Sequence, residues 1–126
     1  MSDVQPAVRQ HVESHPGVHF NELARELDIA TGQAQYHLRR LREAGALSTE
    51  EIRGRTHYFA DEFDPWERRT ISLLRRETVR SIIVYALEEG EPSAGELVDE
   101  LDVARSTISW HVSTLVDAGV AEKCYD

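Results

Sequence analysis

Glu22-Leu23-Ala24-Arg25-Glu26-Leu27-Asp28-Ile29-Ala30 returns 74 residues downstream as Glu96-Leu97-Val98-Asp99-Glu100-Leu101-Asp102-Val103-Ala104. The alignment continues without a gap. Tyr36-His37-Leu38 falls on Trp110-His111-Val112, Leu41 on Leu115, and Ala44-Gly45 on Ala118-Gly119. Between 22–47 and 96–121, ten of 26 positions are identical, where average residue usage gives roughly two. Differences such as Ile29/Val103 and Leu38/Val112 keep the apolar character. With only two copies, the period marks a duplicated domain and not a solenoid.

Each copy reads as three helices. In the first, Pro6 suits a first helical position, and Ala7, Val8 and Val12 form an apolar stripe that runs to Ser14 before Pro16-Gly17. A second helix is expected around Asn21–Leu27 with Leu23, Ala24 and Leu27 inward, followed by a short turn from Asp28 to Gly32. The third is expected over about Gln33–Ala44, burying Ala34, Leu38 and Leu41 at i, i+4 and i+7. Gly45 stops it in the left-handed conformation. After Gly45 the period changes to strand-like alternation from Leu47 to Ile52, a turn at Arg53-Gly54-Arg55, and a second β-rich run Thr56–Phe59. Three helices and a hairpin make a winged helix, whose second helix, turn and third helix are the helix-turn-helix unit.

The second copy starts with a helix over Thr78–Glu88 expected to bury Val79, Ile82, Ile83 and Leu87, broken by Gly90-Glu91-Pro92. Ala94–Leu101 and Arg105–Ala118 follow as its second and third helices. The end of the sequence, Asp126, falls on Ile52 of the first copy, so the turn and return strand of a second wing are missing. Either that wing is truncated or the natural chain continues. Between the copies, Asp64-Pro65-Trp66-Glu67 is a helix start with an Asp cap and a first-turn Pro. The expected fold class is mainly α with a small β-hairpin wing. It has two tandem winged helix-turn-helix domains, at 1–60 and 78–126 (the second with an incomplete wing), joined by a linker helix at 61–77.

The 126 residues carry 23 acidic and 14 basic side chains, a net charge of −9. Thirteen of the basic residues are Arg and one, Lys123, is Lys. Many acids with almost no Lys suit a surface in molar salt, where self-repulsion is screened, and point to a haloarchaeal source. The alternative is an ordinary acidic mesophilic protein. The charge is uneven. Residues 1–60 have seven Arg against eight acids, whereas residues 61–126 have seven basic residues against fifteen acids. The basic residues of the second half cluster at Arg68–Arg80. The longest apolar run, Ile82–Leu87, is too short to span a bilayer, and Met1-Ser2-Asp3-Val4 does not start a signal peptide. A cytoplasmic protein without membrane association is expected.

The pattern Glu22-Leu23-Ala24 … Leu38-Arg39-Arg40-Leu41-Arg42-Glu43-Ala44-Gly45 resembles winged-helix transcription regulators of the ArsR/MarR type. So does Glu96-Leu97 … Ser106-Thr107-Ile108-Ser109-Trp110-His111-Val112 … Leu115-Val116-Asp117-Ala118-Gly119-Val120. Together the copies look like the tandem winged-helix regulators of haloarchaea. The resemblance implies a third helix in the DNA major groove and a wing tip at the backbone or minor groove. A recognition helix needs hydrogen-bonding side chains outside and apolar ones beneath. In the first copy the outward set is Thr31, Gln33, Gln35, Tyr36, Arg39 and Arg40, with Arg53 and Arg55 at the wing tip. In the second it is Arg105, Ser106, Thr107, Ser109, Trp110 and Ser113. These residues point to a sequence-specific, DNA-binding transcription regulator that acts on double-stranded DNA as a homodimer. Trp66, Ile71, Leu74, Ile82, Ile83 and Tyr85 are candidates for pairing.

Two other readings stand beside it. One is a protein-interaction scaffold without direct DNA contact, favoured by the acidic second copy, through which a protein partner would bind. The other is a ligand-sensing repressor with an apolar effector pocket near Trp66 and Trp110. His37 and His111 recur at matching positions, either touching DNA or packing against the preceding helix. His11, His15 and His19 are spaced by four, but Pro16-Gly17 interrupts the helix between the last two and no cysteine is near. They are read as surface histidines, with no metal and no cofactor expected. The lone Cys124 excludes an internal disulfide and is read as structural or incidental. No Ser/His/Asp order, phosphate loop or paired catalytic carboxylates stand out, so no enzyme is expected.

Overall fold

The computed structural model describes residues 4–60 and 62–122. Cys124, Lys123 and the Tyr125-Asp126 stretch, on which the second wing was read, lie outside them, as does Asp61. The chain divides into two compact units, Met1–Ser72 and Leu73–Asp126. The first holds helices α1 (Val4–Ser14), α2 (Phe20–Leu27) and α3 (Thr31–Glu43), strands β1 (Ser48–Ile52) and β2 (Arg55–Phe59), and most of α4 (Pro65–Leu74). The second holds α5 (Glu77–Glu89), α6 (Ala94–Leu101) and α7 (Arg105–Asp117). The fold is mainly helical with one two-stranded antiparallel hairpin among the described residues, as the period changes predict.

In the first unit Val8, Val12, Val18, Leu23, Ala24, Ala34, Leu38, Leu41 and Leu47 form one buried cluster. The i, i+4, i+7 stripe of α3 thus packs on α1 and α2. Burying each large aliphatic side chain of such a cluster contributes about 1.5–3 kcal/mol. Two boundaries differ from the sequence expectation. Pro6 lies inside the first turn of α1 instead of opening it; an N–H there would be among the first four of a helix, which have no intrahelical acceptor, so the missing donor costs little. α3 starts two residues earlier, because the Gln33 Oε1 accepts from the Ala30 N–H at 3.2 Å and closes its first turn.

Both helix-turn-helix turns rest on a left-handed aspartate. Asp28 has φ 54° and Asp102 has φ 52°. In the first copy Ile29 N–H then returns to the Ala24 carbonyl at 3.0 Å. Asp tolerates this region better than most side chains, being short and polar. That explains why Leu-Asp survives in both copies of the repeat. The ends of the third helices are equally alike. Gly45 (φ 78°) and Gly119 (φ 77°) let Ala46 and Val120 donate to Leu41 and Leu115, each at 2.9 Å.

The hairpin pairs Ser48 with Phe59 and Ile52 with Arg55, leaving Arg53-Gly54 as a two-residue turn. Both have positive φ, 51° and 78°, the geometry whose twist matches the flanking strands. The hairpin is tied back to the α1–α2 loop. Gly17 N–H donates to the Tyr58 carbonyl at 2.8 Å and Tyr58 N–H to Val18 at 3.0 Å. Buried His57 donates from Nδ1 to the Gly17 carbonyl at 2.8 Å, which fixes its tautomer because a carbonyl only accepts. Arg68 of α4 reaches the Phe63 carbonyl at 2.6 Å and Glu50 of β1 at 3.2 Å. α4 starts as expected, with reciprocal bonds between Asp64 and Glu67 of 2.8 and 2.9 Å.

In the second unit Leu73, Val79, Ile82, Leu97, Ile108, Leu115 and Ala118 are buried. Leu87, expected inside, is 80% exposed. Successive helical residues turn by 100°, so Leu87 rotates off the stripe set by Val79 and Ile82. Ile82, offered as a pairing residue, is in the core instead, whereas Val84 and Leu87 are exposed. Ser93 caps α6 by accepting from the Glu96 N–H at 3.1 Å.

Candidate nucleic-acid interface

The outward set of α3 is exposed in full. Thr31, Gln33, Gln35, Tyr36, Arg39 and Arg40 all face out, with Ala34, Leu38 and Leu41 buried beneath. Tyr36 organises the centre of this face. It is 45% exposed, and the guanidinium carbons of Arg39 and Arg40 each lie 5.8 Å from its ring centroid. Arg40 also donates from Nη1 to the Tyr36 hydroxyl at 3.3 Å. One aromatic ring therefore holds two cations on one exposed surface. Gln33 differs from its neighbours, since its carbonyl oxygen already closes the helix start. Arg53 and Arg55 are exposed at the wing tip.

α7 carries the corresponding face with different chemistry. Arg105, Ser106, Ser109 and Trp110 are exposed and Thr107 is half-buried. Repeat alignment places Ser113 and Thr114 where the first copy has Arg39 and Arg40. Thr114 is buried and its hydroxyl donates to the Trp110 carbonyl at 2.9 Å. A cation nonetheless lies at this aromatic: Arg76, the residue before α5, sits 5.3 Å from the Trp110 ring centroid. Arg76, Ser106, Thr107, Trp110 and His111 line an open groove of about 420 Å³. Arg76 gives that lining a charge, and Ser106 and Thr107 give it hydroxyls beside the Trp110 ring. The outward-face rule could not assign Arg76, because it lies outside the recognition helix; the Arg68–Arg80 cluster was the only sign of it.

The histidines resolve into separate roles. His37 is half-buried and donates from Nδ1 to Gln5 Oε1 of α1 at 3.1 Å, which ties it to the first helix. His111 is only 8% exposed; burial first, then the Arg76 charge, holds its pKa below the ordinary value. His11 and His15 stack at 4.1 Å, and His15 donates from Nδ1 to the His11 carbonyl at 3.0 Å. His19 leaves them, as the Pro16-Gly17 break requires, and caps α2, its Nδ1 accepting from the Asn21 N–H at 3.4 Å. His11 and His19 are half-buried, which corrects their reading as surface residues. Burial and then the nearby Arg55 charge lower the His19 pKa. Among the described residues no group of three or more His, Cys, Asp or Glu could hold a metal ion. No helix among them is long and apolar enough to cross a membrane.

The profile of the HTH_HVO_0163_N family, described as an N-terminal HTH domain, matches residues 2–71. The chain belongs to that family. A second profile, described as bacterial regulatory protein, arsR family, matches residues 77–123. The two matches divide the chain much as the repeat does, and both carry the helix-turn-helix. An uncharacterised HTH-type transcriptional regulator of Methanocaldococcus jannaschii is 23% identical over 124 residues, covering 97% of this chain. The chain spans 31% of that relative's length. Among solved structures, the transcriptional regulator SlyA aligns with a TM-score of 0.45 and 18% identity, over 94% of this chain and 79% of its own. Streptococcus pneumoniae FabT, solved in complex with DNA, aligns with a TM-score of 0.45 and 16% identity, over 93% and 77%.

Proposed function

We propose that this chain is a sequence-specific DNA-binding transcription regulator that reads the major groove of double-stranded DNA through α3 and α7. In this reading the wing tip, Arg53 and Arg55, lies on the phosphate backbone. Residues 1–60 and 78–126 are the two DNA-facing domains and 61–77 connects them. The observation that carries it is the Tyr36, Arg39 and Arg40 cluster on the exposed face of α3. Arg pairs bidentately with guanine or with phosphate, and Gln35 can bond an adenine edge. The net charge of −9 does not oppose this, because residues 1–60 contribute only −1 of it and binding depends on local charge. Homodimers match two-fold operators, and exposed Val84 and Leu87 of α5 offer apolar surface for pairing.

Genomic mapping of sites bound by the chain in its native host tests the reading. Enriched promoter sites that disappear for Arg39→Ala plus Arg40→Ala support it; no enriched sites would sink it. The same apolar face of α5, in the acidic half of the chain, favours a second reading as a protein-interaction scaffold. Capture of a stoichiometric protein partner that depends on Leu87, without enriched DNA sites, would favour that one.

A further inference from the structure

The two recognition helices share an exposed aromatic and differ in where the cation beside it comes from. The aromatic at 36 and its repeat partner at 110 are both exposed, at 45% and 39%. In the first copy the cations over that ring come from the same helix, one turn on. In the second copy Ser113 and Thr114 have replaced them, and Thr114 is turned to the Trp110 carbonyl. The cation over Trp110 comes instead from Arg76, ahead of α5. Two constructions thus put a guanidinium over the exposed ring at the same register of the third helix. α7, whose own cation Arg105 opens the helix, has a guanidinium at its ring from the adjoining segment.

We propose that Arg76, with the hydroxyls of Ser106 and Thr107 beside Trp110, forms a second DNA-backbone site that takes one phosphate of the duplex. Its chemistry fits that ligand. The guanidinium offers a planar fork of donors matched to a phosphate's oxygens, and each hydroxyl can add a donor. None of the five groove-lining residues is a carboxylate. The groove is open to solvent, so a continuous backbone can pass along it. The assignment deepens the DNA-binding reading and rests on it. It gives the acidic second copy a second cation for DNA beside Arg105 at the start of α7.

The test uses the full chain, a fluorescein-labelled 30-base-pair mixed-sequence duplex and a KCl series. Each neutralised phosphate adds about 0.9 to the magnitude of the slope of log K against log salt. Arg76→Ala should lower that magnitude by about 1 and weaken binding at every salt concentration. Arg76→Lys should keep the slope, and Arg25→Ala, on α2, should leave it unchanged. Because Arg76 also precedes α5 and packs on Trp110, a second readout avoids any effect of misfolding. In a Trp66→Phe chain with Arg76 intact, Trp110 is the only tryptophan, and the duplex should quench it. An unchanged slope for Arg76→Ala, while Arg39→Ala lowers it, would overturn the inference and leave the DNA-binding reading standing. Duplex binding without Trp110 quenching would do the same. Quenching by inorganic phosphate but not by duplex would make the groove a small-anion site and overturn the assignment to DNA. A chain that binds no duplex at all would remove both readings together.

Discussion

The first and second copies share their turns and differ in their charges. Asp28 and Asp102 take the same left-handed conformation, and Gly45 and Gly119 close the third helices with the same returning bond. What changed is the surface those turns present. α3 carries Arg39 and Arg40 on its own exposed face, while α7 has Ser113 and a buried Thr114 at those places and a guanidinium brought in from Arg76. Backbone geometry was kept because few residues satisfy it. Surface chemistry was free to diverge because an exposed helix position constrains nothing beneath it.

The largest expected effect separates the cores. Leu38 is fully buried while its repeat partner Val112 is half-buried. Leu38→Ala should destabilise the first unit by about 2–5 kcal/mol, and Val112→Ala the second by roughly 1 kcal/mol. Urea unfolding of the two variants measures this. Equal losses would break the difference drawn between the copies.

Next comes the charge exchange. Arg39→Ser gives the first copy the residue of the second. It should cost about 1–3 kcal/mol of affinity for promoter DNA if Arg39 makes a bidentate contact. The reverse change, Ser113→Arg, should tighten binding. Titrations of both variants against one duplex check the pair; unchanged affinity for Arg39→Ser would remove Arg39 from the interface.

The shared turns give a symmetrical prediction. Asp28→Val and Asp102→Val each put a β-branched side chain at positive φ and should each cost about 1–2 kcal/mol. Thermal melts would show it. A loss in one copy only would mean that the turns are not equivalent.

The smallest effect is on pH dependence. His19 and His111 both have pKa values held below 6.5, by burial first and then by Arg55 and Arg76 respectively. The unfolded chain takes up these protons near pH 6.5, whereas the folded chain resists until lower pH. The stability they contribute is therefore complete above pH 6.5 and is lost as pH falls through the folded values. Melting temperatures should drop as pH falls below about 6.5. His19→Asn, which can still cap a helix, and His111→Gln should each flatten that drop. A profile unchanged by either variant would deny the two histidines this role.

Most of the architecture was legible because it is periodic. The i, i+4, i+7 stripe of Ala34, Leu38 and Leu41 marks α3, and strand alternation around Arg53-Gly54 marks the wing. The expected range Ala94–Leu101 for α6 agrees with the structure to the residue. Leu87 misled because hydrophobicity does not report which way a residue turns at the edge of a stripe. The exposed face of α3 was readable for the same reason as its core, since one helix fixes both.

By itself, then, the sequence determined the duplicated helix-turn-helix, the wing and the uneven charge, all of which depend on residues near one another along the chain. Only the tertiary structure decided which distant groups meet. His57 reaches Gly17, His37 reaches Gln5, and Arg76 comes to lie over Trp110, 34 residues away. Local propensity does not encode such pairings; they follow from how the helices pack, and the cationic groove of the second copy exists only once they have.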